Sequence, residues 1–402
     1  MSILFTPKKL GNVQIKNRFV HSATYEVMAL ETGHISEMLL KRYEKLANGG
    51  IGLIIPGYVY VHPSGRAYPY QSGIHSDDMI PGLKRMVDIV HHKEGKITFQ
   101  LVHAGLYTRK DLIGQIPLGP SIIDGNAINT GKAREMSEEE IQEVIQAFGN
   151  AARRAAATGA DGIQLHAAHG YLISQFISPF FNHRKDAWGG SDENRFRFLK
   201  EVILETRKAL PEGMLLLVKL NADDYTPQTG VTPPLAAKYA GWLAELGIDG
   251  LELSCGTVRH SFMNMCRGDV PVNEIVQSLP LSKRSKVEQR LKSMAGQYDL
   301  VEGYNLEAAK MIKPVLGKIP LLLVGGLRTV AQMEEVIEKE YADFISMCRP
   351  FIREPNIVNR IEEGKADKVA CVSCNRCFAA VPNNLPVRCY HKSFPSQIKE
   401  GQ

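Results

Sequence analysis

Eight short, nearly continuous apolar runs recur along the chain, each separated from the next by a longer stretch with helical periodicity. They are FVHSA (19–23), GLIIPGYVYV (52–61), ITFQLVHAG (97–105), GIQLHAA (162–168), LLLVKLN (215–221), GLELSCG (250–256), PLLLVGG (320–326) and FISMCRP (344–350). Runs that barely alternate suit parallel strands covered on both faces. Between them, residues 36–50 open on Ser36 and close on a glycine pair, and residues 137–159 open on Ser137, carry Glu140 three positions on and end at Gly159. These are a capping residue, a capping box and glycine stops, so both stretches are predicted helices. Residues 194–209, 232–246 and 330–340 follow the same logic. Eight strand–helix repeats predict an α/β fold of the (β/α)8 TIM-barrel type, with an N-terminal cap, rather than an open doubly wound sheet. No G-x-G-x-x-G follows the first run, which removes the usual sign of a dinucleotide-binding fold.

The chain has 402 residues, 44% of them hydrophobic, enough for a large core. Its net charge of +5 is spread thinly and no basic run is interleaved with aromatics, so nucleic acid is not an expected partner. The positive balance gives at most a mild preference for anionic ligands. No stretch approaches the ~18 apolar residues of a membrane span, and the N-terminus lacks a basic-then-apolar leader. A cytoplasmic location, no membrane association and a homo-oligomeric assembly are the expectations.

Reacting groups of a barrel sit where strands end at its C-terminal face. There the runs present Ser22, Ala23, Thr24 and Tyr25; Gly57; Gln100 and His103; His166, His169 and Tyr171; Lys219 and Asn221; Gly325 and Gly326; Cys348 and Arg349. The set is rich in hydrogen-bonding groups and poor in carboxylates, unlike a glycosidase pair or a hydrolytic metal cage. Gly325, Gly326 and Arg349, after the last two strands, suit a phosphate, although ordinary turn glycines explain the pattern as well. His166 and His169 can polarise a carbonyl or nitro oxygen, and the Tyr171 phenol can supply a proton. Structural histidines, or a zinc pair lacking further ligands, are the alternatives. The long segment 258–304 follows the sixth run, where loops usually shape substrate access; simple decoration is the other reading.

Seven cysteines are present, four of them between residues 371 and 389. Cys371, Cys374 and Cys377 are spaced C-x2-C-x2-C, and Cys389 follows eleven residues later. Three close thiolates and a distant fourth form an iron–sulfur pattern; tetrahedral zinc and free redox thiols remain open.

Taken in order, LFTPKKLGNVQIKNRFV, QLVHAG, HAAHGYLISQFISPFFNHRKDAWGGSDENRFRF, LVKLN, LVGGLRT, SMCRPFIREP and CVSCNRC resemble the Old Yellow Enzyme family of NADH:flavin oxidoreductases over nearly the whole chain. The resemblance implies an FMN-binding barrel over residues 1–354 and a cysteine-rich segment over 355–402. It implies Gln100 at the flavin pyrimidine edge, Lys219 near N1 and O2, and Ala23, Thr24 and Gly57 along the isoalloxazine. Gly325, Gly326, Cys348 and Arg349 take the phosphate positions. His166 and His169 match the substrate-oxygen clamp and Tyr171 the proton donor. Three departures stand out: Ala23-Thr24-Tyr25 where Pro-Met-Thr or Pro-Met-Cys is frequent, Lys219 where arginine is commonest, and Cys348-Arg349 where Gly-Arg is usual.

The tail is similar to the 4Fe–4S site of the 2,4-dienoyl-CoA reductase and trimethylamine dehydrogenase branch. Members of that branch continue into a second flavin and nucleotide domain; here such a module is expected to be a separate protein or absent. The activity so implied is an FMN-dependent ene-reductase, passing hydride from flavin N5 to the β-carbon of an unsaturated carbonyl substrate. NAD(P)H, or a ferredoxin-like electron-transfer partner feeding the cluster, is the reductant. An amine dehydrogenase or demethylase on the same fold, and a non-catalytic flavin or metal sensor, are the alternatives.

Overall fold

Every apolar run holds a strand, and the eight strands close on themselves. In the computed structural model, which describes residues 2–123 and 133–396, they are β1 (Phe19–His21), β2 (Leu53–Ile54), β3 (Lys96–Val102), β4 (Gly162–Ala167), β5 (Leu215–Asn221), β6 (Gly250–Ser254), β7 (Leu321–Val324) and β8 (Phe344–Met347). Each pairs in parallel with its sequence neighbours and β8 pairs with β1, completing a (β/α)8 TIM barrel. The second run is the one that splits. Pro56 has no N–H to give a ladder, so β2 stops before it, and pairing resumes at Val59–Tyr60 against the end of β3.

The helices alternate with the strands: α1 (Glu37–Asn48), α2 (Ile80–His91), α3 (Glu138–Ala157), α4 (Asp192–Ala209), α5 (Pro233–Glu245), α6 (Leu306–Ile312), α7 (Val330–Glu338) and α8 (Ile357–Glu362). The Ser36 hydroxyl caps α1, and Ser137 with Glu140 closes the expected capping box on α3. Among the described residues no helix is long and apolar enough to cross a membrane.

Side-chain alternation sorts each strand into two faces. Leu216, Val218 and Leu220 of β5 point outward into the main core, as do Ile163 and Leu165 of β4, and α8 adds Ile357, Val358 and Ile361 to that core. Burying each such side chain is worth roughly 1.5–3 kcal/mol. The opposite faces fill the barrel. At its base Leu215, Leu217, Leu322 and Phe344 pack with Leu10 and Ile15. The last two come from an antiparallel hairpin (Lys8–Leu10 with Val13–Ile15) that caps the bottom. Gly250 is needed there, since a Cβ on it would lie 2.7 Å from Leu10. Above this apolar layer the inward positions turn polar.

The segment 258–304 is a scaffold as well as a loop. It carries helices at Phe262–Met265, Val272–Val276 and Leu281–Met294 and grips the cysteine segment. Phe262 stacks on Phe378 with centroids 5.4 Å apart, Glu274 pairs with Arg376 at 2.8 Å, and Asn375 donates to the carbonyls of Cys266 and Asp269 at 2.7 and 2.9 Å. The last six residues of the expected 355–402 segment lie outside the described residues.

Candidate active site

Period two along the strands puts Gln100, Gln164, His166, Lys219 and Glu252 inside the barrel, and register puts them side by side. Gln100 is level with Gln164, and Lys219 with His166 on one flank and Glu252 on the other. Gln100 Nε2 donates to Gln164 Oε1 at 2.6 Å, and Gln164 Nε2 donates to Glu252 Oε2 at 3.0 Å. Lys219 Nζ lies 3.3 Å from that same carboxylate oxygen and donates to Ser22 Oγ at 2.8 Å. Lys219 and Glu252 are 3% and 0% exposed, and the second carboxylate oxygen of Glu252 has no hydrogen-bond partner.

A cavity opens above this string. Ala23, Thr24, His169, Tyr171, Lys219, Gly326, Cys348 and Arg349 line it. The other expected site residues, Gly57, Gln100, His166 and Gly325, stand outside its lining. Gly57 is where the chain passes close to Thr24 and Glu26, so a side chain there would strike both. Gln100 reaches the cavity floor only through the hydrogen-bonded string. The space a Cβ would take at Gly325 and Gly326 is held by Asn305 and Tyr304, so these glycines answer to packing as well as to the cavity.

The chain leaves β4 through a left-handed turn, with φ of +62° at His169 and +78° at Gly170. A non-glycine residue there carries about 1–2 kcal/mol of strain. The turn is held by the His169 N–H to Asn221 Oδ1 at 3.2 Å and by His169 Nε2 to Ser254 Oγ at 2.8 Å. It brings three rings together: His166 and His169 meet edge to face at 5.1 Å, and His166 lies 4.9 Å from Tyr171. Burial, then the charges of His169 and Lys219, push the His166 imidazole well below its ordinary value; burial and Lys219 do the same to His169. Both rings are therefore neutral at physiological pH. His166 Nδ1 is buried without a partner. Burial pushes the Tyr171 phenol far upward, so it stays protonated, and it shares a 2.9 Å hydrogen bond with the Tyr58 hydroxyl.

The β7–β8 end is different. Arg328 and Arg349 both line the cavity there, and among the described residues neither guanidinium has a carboxylate within ion-pair distance. Arg349 donates to the Arg267 carbonyl at 2.8 Å and to Asn375 Oδ1 at 2.6 Å. Arg328 donates to Ser373 Oγ at 3.0 Å, while its buried Nε has no partner. A buried and a partly buried cation without counter-charge, the buried one with an orphaned donor, fit the phosphate of a flavin mononucleotide. The donor set therefore fits FMN: guanidiniums for the phosphate, and Lys219 for the ring.

Cys371, Cys374, Cys377 and Cys389 all line a second, smaller pocket. Among the described residues no three His, Cys, Asp or Glu side chains converge as a single-ion site. The C-x2-C-x2-C loop and the separate turn of Cys389 line the same pocket. All seven cysteines are free. Cys377 and Arg349 line both cavities.

A family model described as NADH:flavin oxidoreductase / NADH oxidase matches residues 3–272 and 261–368. The chain belongs to this family. It is 33% identical over 392 residues to an NADH oxidase from Thermoanaerobacter brockii, covering 96% of this chain and 55% of that protein. Among solved structures, 2-naphthoyl-CoA reductase in complex with 2-naphthoyl-CoA superimposes with a TM-score of 0.84 at 26% identity, over 96% of this chain and 56% of that one. An Old Yellow Enzyme homologue from Zymomonas mobilis gives 0.71 at 26%, covering 92% and 95%. The chain thus spans about half the length of the NADH oxidase and the naphthoyl-CoA reductase. The Old Yellow Enzyme resemblance holds, and with it the likeness to the iron–sulfur branch.

Sequence reasoning passed over Arg328, Gln164, Glu252 and Tyr58. Arg328 stood inside the quoted LVGGLRT motif, and Gln164 and Glu252 share the inward phase of His166 and Lys219. For Arg328 the signal was the motif, and for Gln164 and Glu252 it was the period of two. Tyr58 follows the Pro56 break and had none.

Proposed function

We propose that this chain is an FMN-dependent oxidoreductase of activated C=C bonds. The observation that carries the reading is the pairing, in one cavity, of a protonated Tyr171 with neutral His169 at one side and the uncompensated Arg328 and Arg349 at the other. Bound FMN supplies the hydride chemistry. His169, backed by His166, donates a neutral N–H toward a substrate carbonyl oxygen, and Ser254 orients the His169 ring. Tyr171 gives its proton to the α-carbon once the β-carbon has taken hydride, and Tyr58 is placed to re-supply it through their hydrogen bond. Lys219, held by Glu252, would supply positive charge to a bound flavin.

The C-x2-C-x2-C spacing with Cys389, whose four thiols line one small pocket, is what supports a 4Fe–4S cluster, with tetrahedral zinc as the alternative. Cys377 in the wall of both cavities would set the cluster beside the flavin phosphate end. That arrangement suits a partner protein delivering single electrons, with NAD(P)H as the direct alternative.

Heat-released cofactor should chromatograph as FMN, and anaerobic protein should reduce 4-phenylbut-3-en-2-one with NADH, NADPH or a chemical reductant. FAD in place of FMN, or flavin-replete protein that reduces no enone, overturns the reading.

A further inference from the structure

We infer that Arg259 is a specificity residue that selects substrates carrying a carboxylate, an inference that rests on the ene-reductase reading. Arg259 follows Val258, which lines the large cavity. Its guanidinium lies 4.6 Å from the centroid of the Tyr107 ring. Its Nη1 is buried with no hydrogen-bond partner, and among the described residues no carboxylate pairs with it. Beyond that ring contact, its neighbours supply no opposite charge. Tyr68 and Tyr171 feel its charge and are themselves held protonated by burial. His260, hydrogen-bonded to the Tyr107 hydroxyl at 3.1 Å, is kept neutral by burial and by the charges of Arg259 and Arg290. Burial draws the Arg259 pKa down to about 10, so it remains cationic at neutral pH.

A half-buried guanidinium without a counter-ion is expensive, and a planar fork is matched by a carboxylate. The cavity lining repeats the message: it contains Lys219, Arg328 and Arg349 but no Asp or Glu. Arg328 and Arg349 belong to the ends of β7 and β8, where the phosphate is expected. Arg259 instead sits over the Tyr107 ring, which lies edge-on to Tyr171 of the cavity wall with centroids 6.3 Å apart, on the side where the substrate is expected. Flat rings beside a free cation fit an unsaturated, planar substrate with a carboxylate beyond the reacting bond. The same charge opposes an ammonium substrate, which places the oxidative amine chemistry of the alternative reading at a disadvantage.

The test uses the flavin-loaded enzyme and two non-reacting phenols, 4-hydroxybenzoate and 4-hydroxybenzamide, titrated against the flavin absorbance. The wild type should bind the carboxylate about 10–100-fold more tightly than the amide, the range of one charge-assisted hydrogen-bonded contact. In R259M that ratio should collapse toward one, and R259K, which keeps charge but loses the fork, should fall between. No carboxylate preference in the wild type, or a preference that survives in R259M, overturns the inference. The ene-reductase reading is judged separately, by wild-type turnover of uncharged 4-phenylbut-3-en-2-one. An enzyme that reduces this enone yet ignores the carboxylate loses only the role of Arg259, and one that binds the carboxylate through Arg259 yet reduces no enone loses only the reaction.

Discussion

Removing the Lys219 ammonium should unmask the cost of burying Glu252. The carboxylate is fully buried, holds Lys219 at 3.3 Å and accepts one amide hydrogen bond from Gln164 at 3.0 Å. Its other oxygen is already without a partner. In Lys219→Met the acid keeps only the Gln164 contact. Breaking a buried pair from one side costs about 3–5 kcal/mol, whereas replacing both partners with apolar groups is close to neutral. Unfolding entropy of roughly 2.1 cal/mol/K per residue gives about 0.8 kcal/mol/K for 402 residues, so the loss corresponds to a Tm lower by about 4–6 °C. Calorimetry of flavin-free protein should show this drop for Lys219→Met and its recovery in Lys219→Met/Glu252→Leu. A single variant that melts within a degree of wild type, or a double variant that melts below it, would refute the account of a dependent buried carboxylate.

Other outcomes follow from the same geometry. Tyr171→Phe should slow flavin reoxidation by an enone by roughly 10²–10⁴-fold and spare flavin reduction; stopped-flow traces in which both half-reactions slow together would assign the phenol a structural role. Burial holds His21 and His103 each at about 3 in the folded chain, against about 6.5 unfolded. The unfolded chain therefore binds protons that the folded one refuses, so their contribution is intact above about pH 6.5 and shrinks as pH falls. At pH 5 the loss is about 2 kcal/mol per histidine, on the order of 4 for both, and a Tm that stays level from pH 7.5 to 5 would contradict it. Anaerobically purified protein should carry about four irons per chain and absorb near 400 nm beyond the flavin bands, with both signals reduced in Cys377→Ser. Stoichiometric zinc in place of iron would turn the tail into a structural clip.

By itself the sequence determined the elements and the direction of most side chains. Nearly continuous apolar runs marked the strands, and Ser36, Ser137 and Glu140 marked helix starts. Within a strand, the period of two already separates Gln164 and His166 from Leu165, and Lys219 from Val218, because alternate Cβ atoms leave opposite faces of a pleated chain. The HAAHGY turn was legible too, since His169, Gly170 and Tyr171 are local to one another. Tertiary structure decided the pairings. Whether Lys219 meets Glu252, or Gln100 meets Gln164, depends on strand register, which is set by closing eight strands into a barrel. Arg259 and Tyr107 come from segments about 150 residues apart in sequence, and no periodicity links them. The cysteine spacing likewise stated a ligand set without its geometry; hydrogen bonds from Asn375 and Asn383 to the Cys266 and Glu274 carbonyls are what seat the cysteine segment on residues 262–276. Local patterns act through backbone geometry over a few residues, whereas contacts between distant residues are fixed only when the whole core is packed.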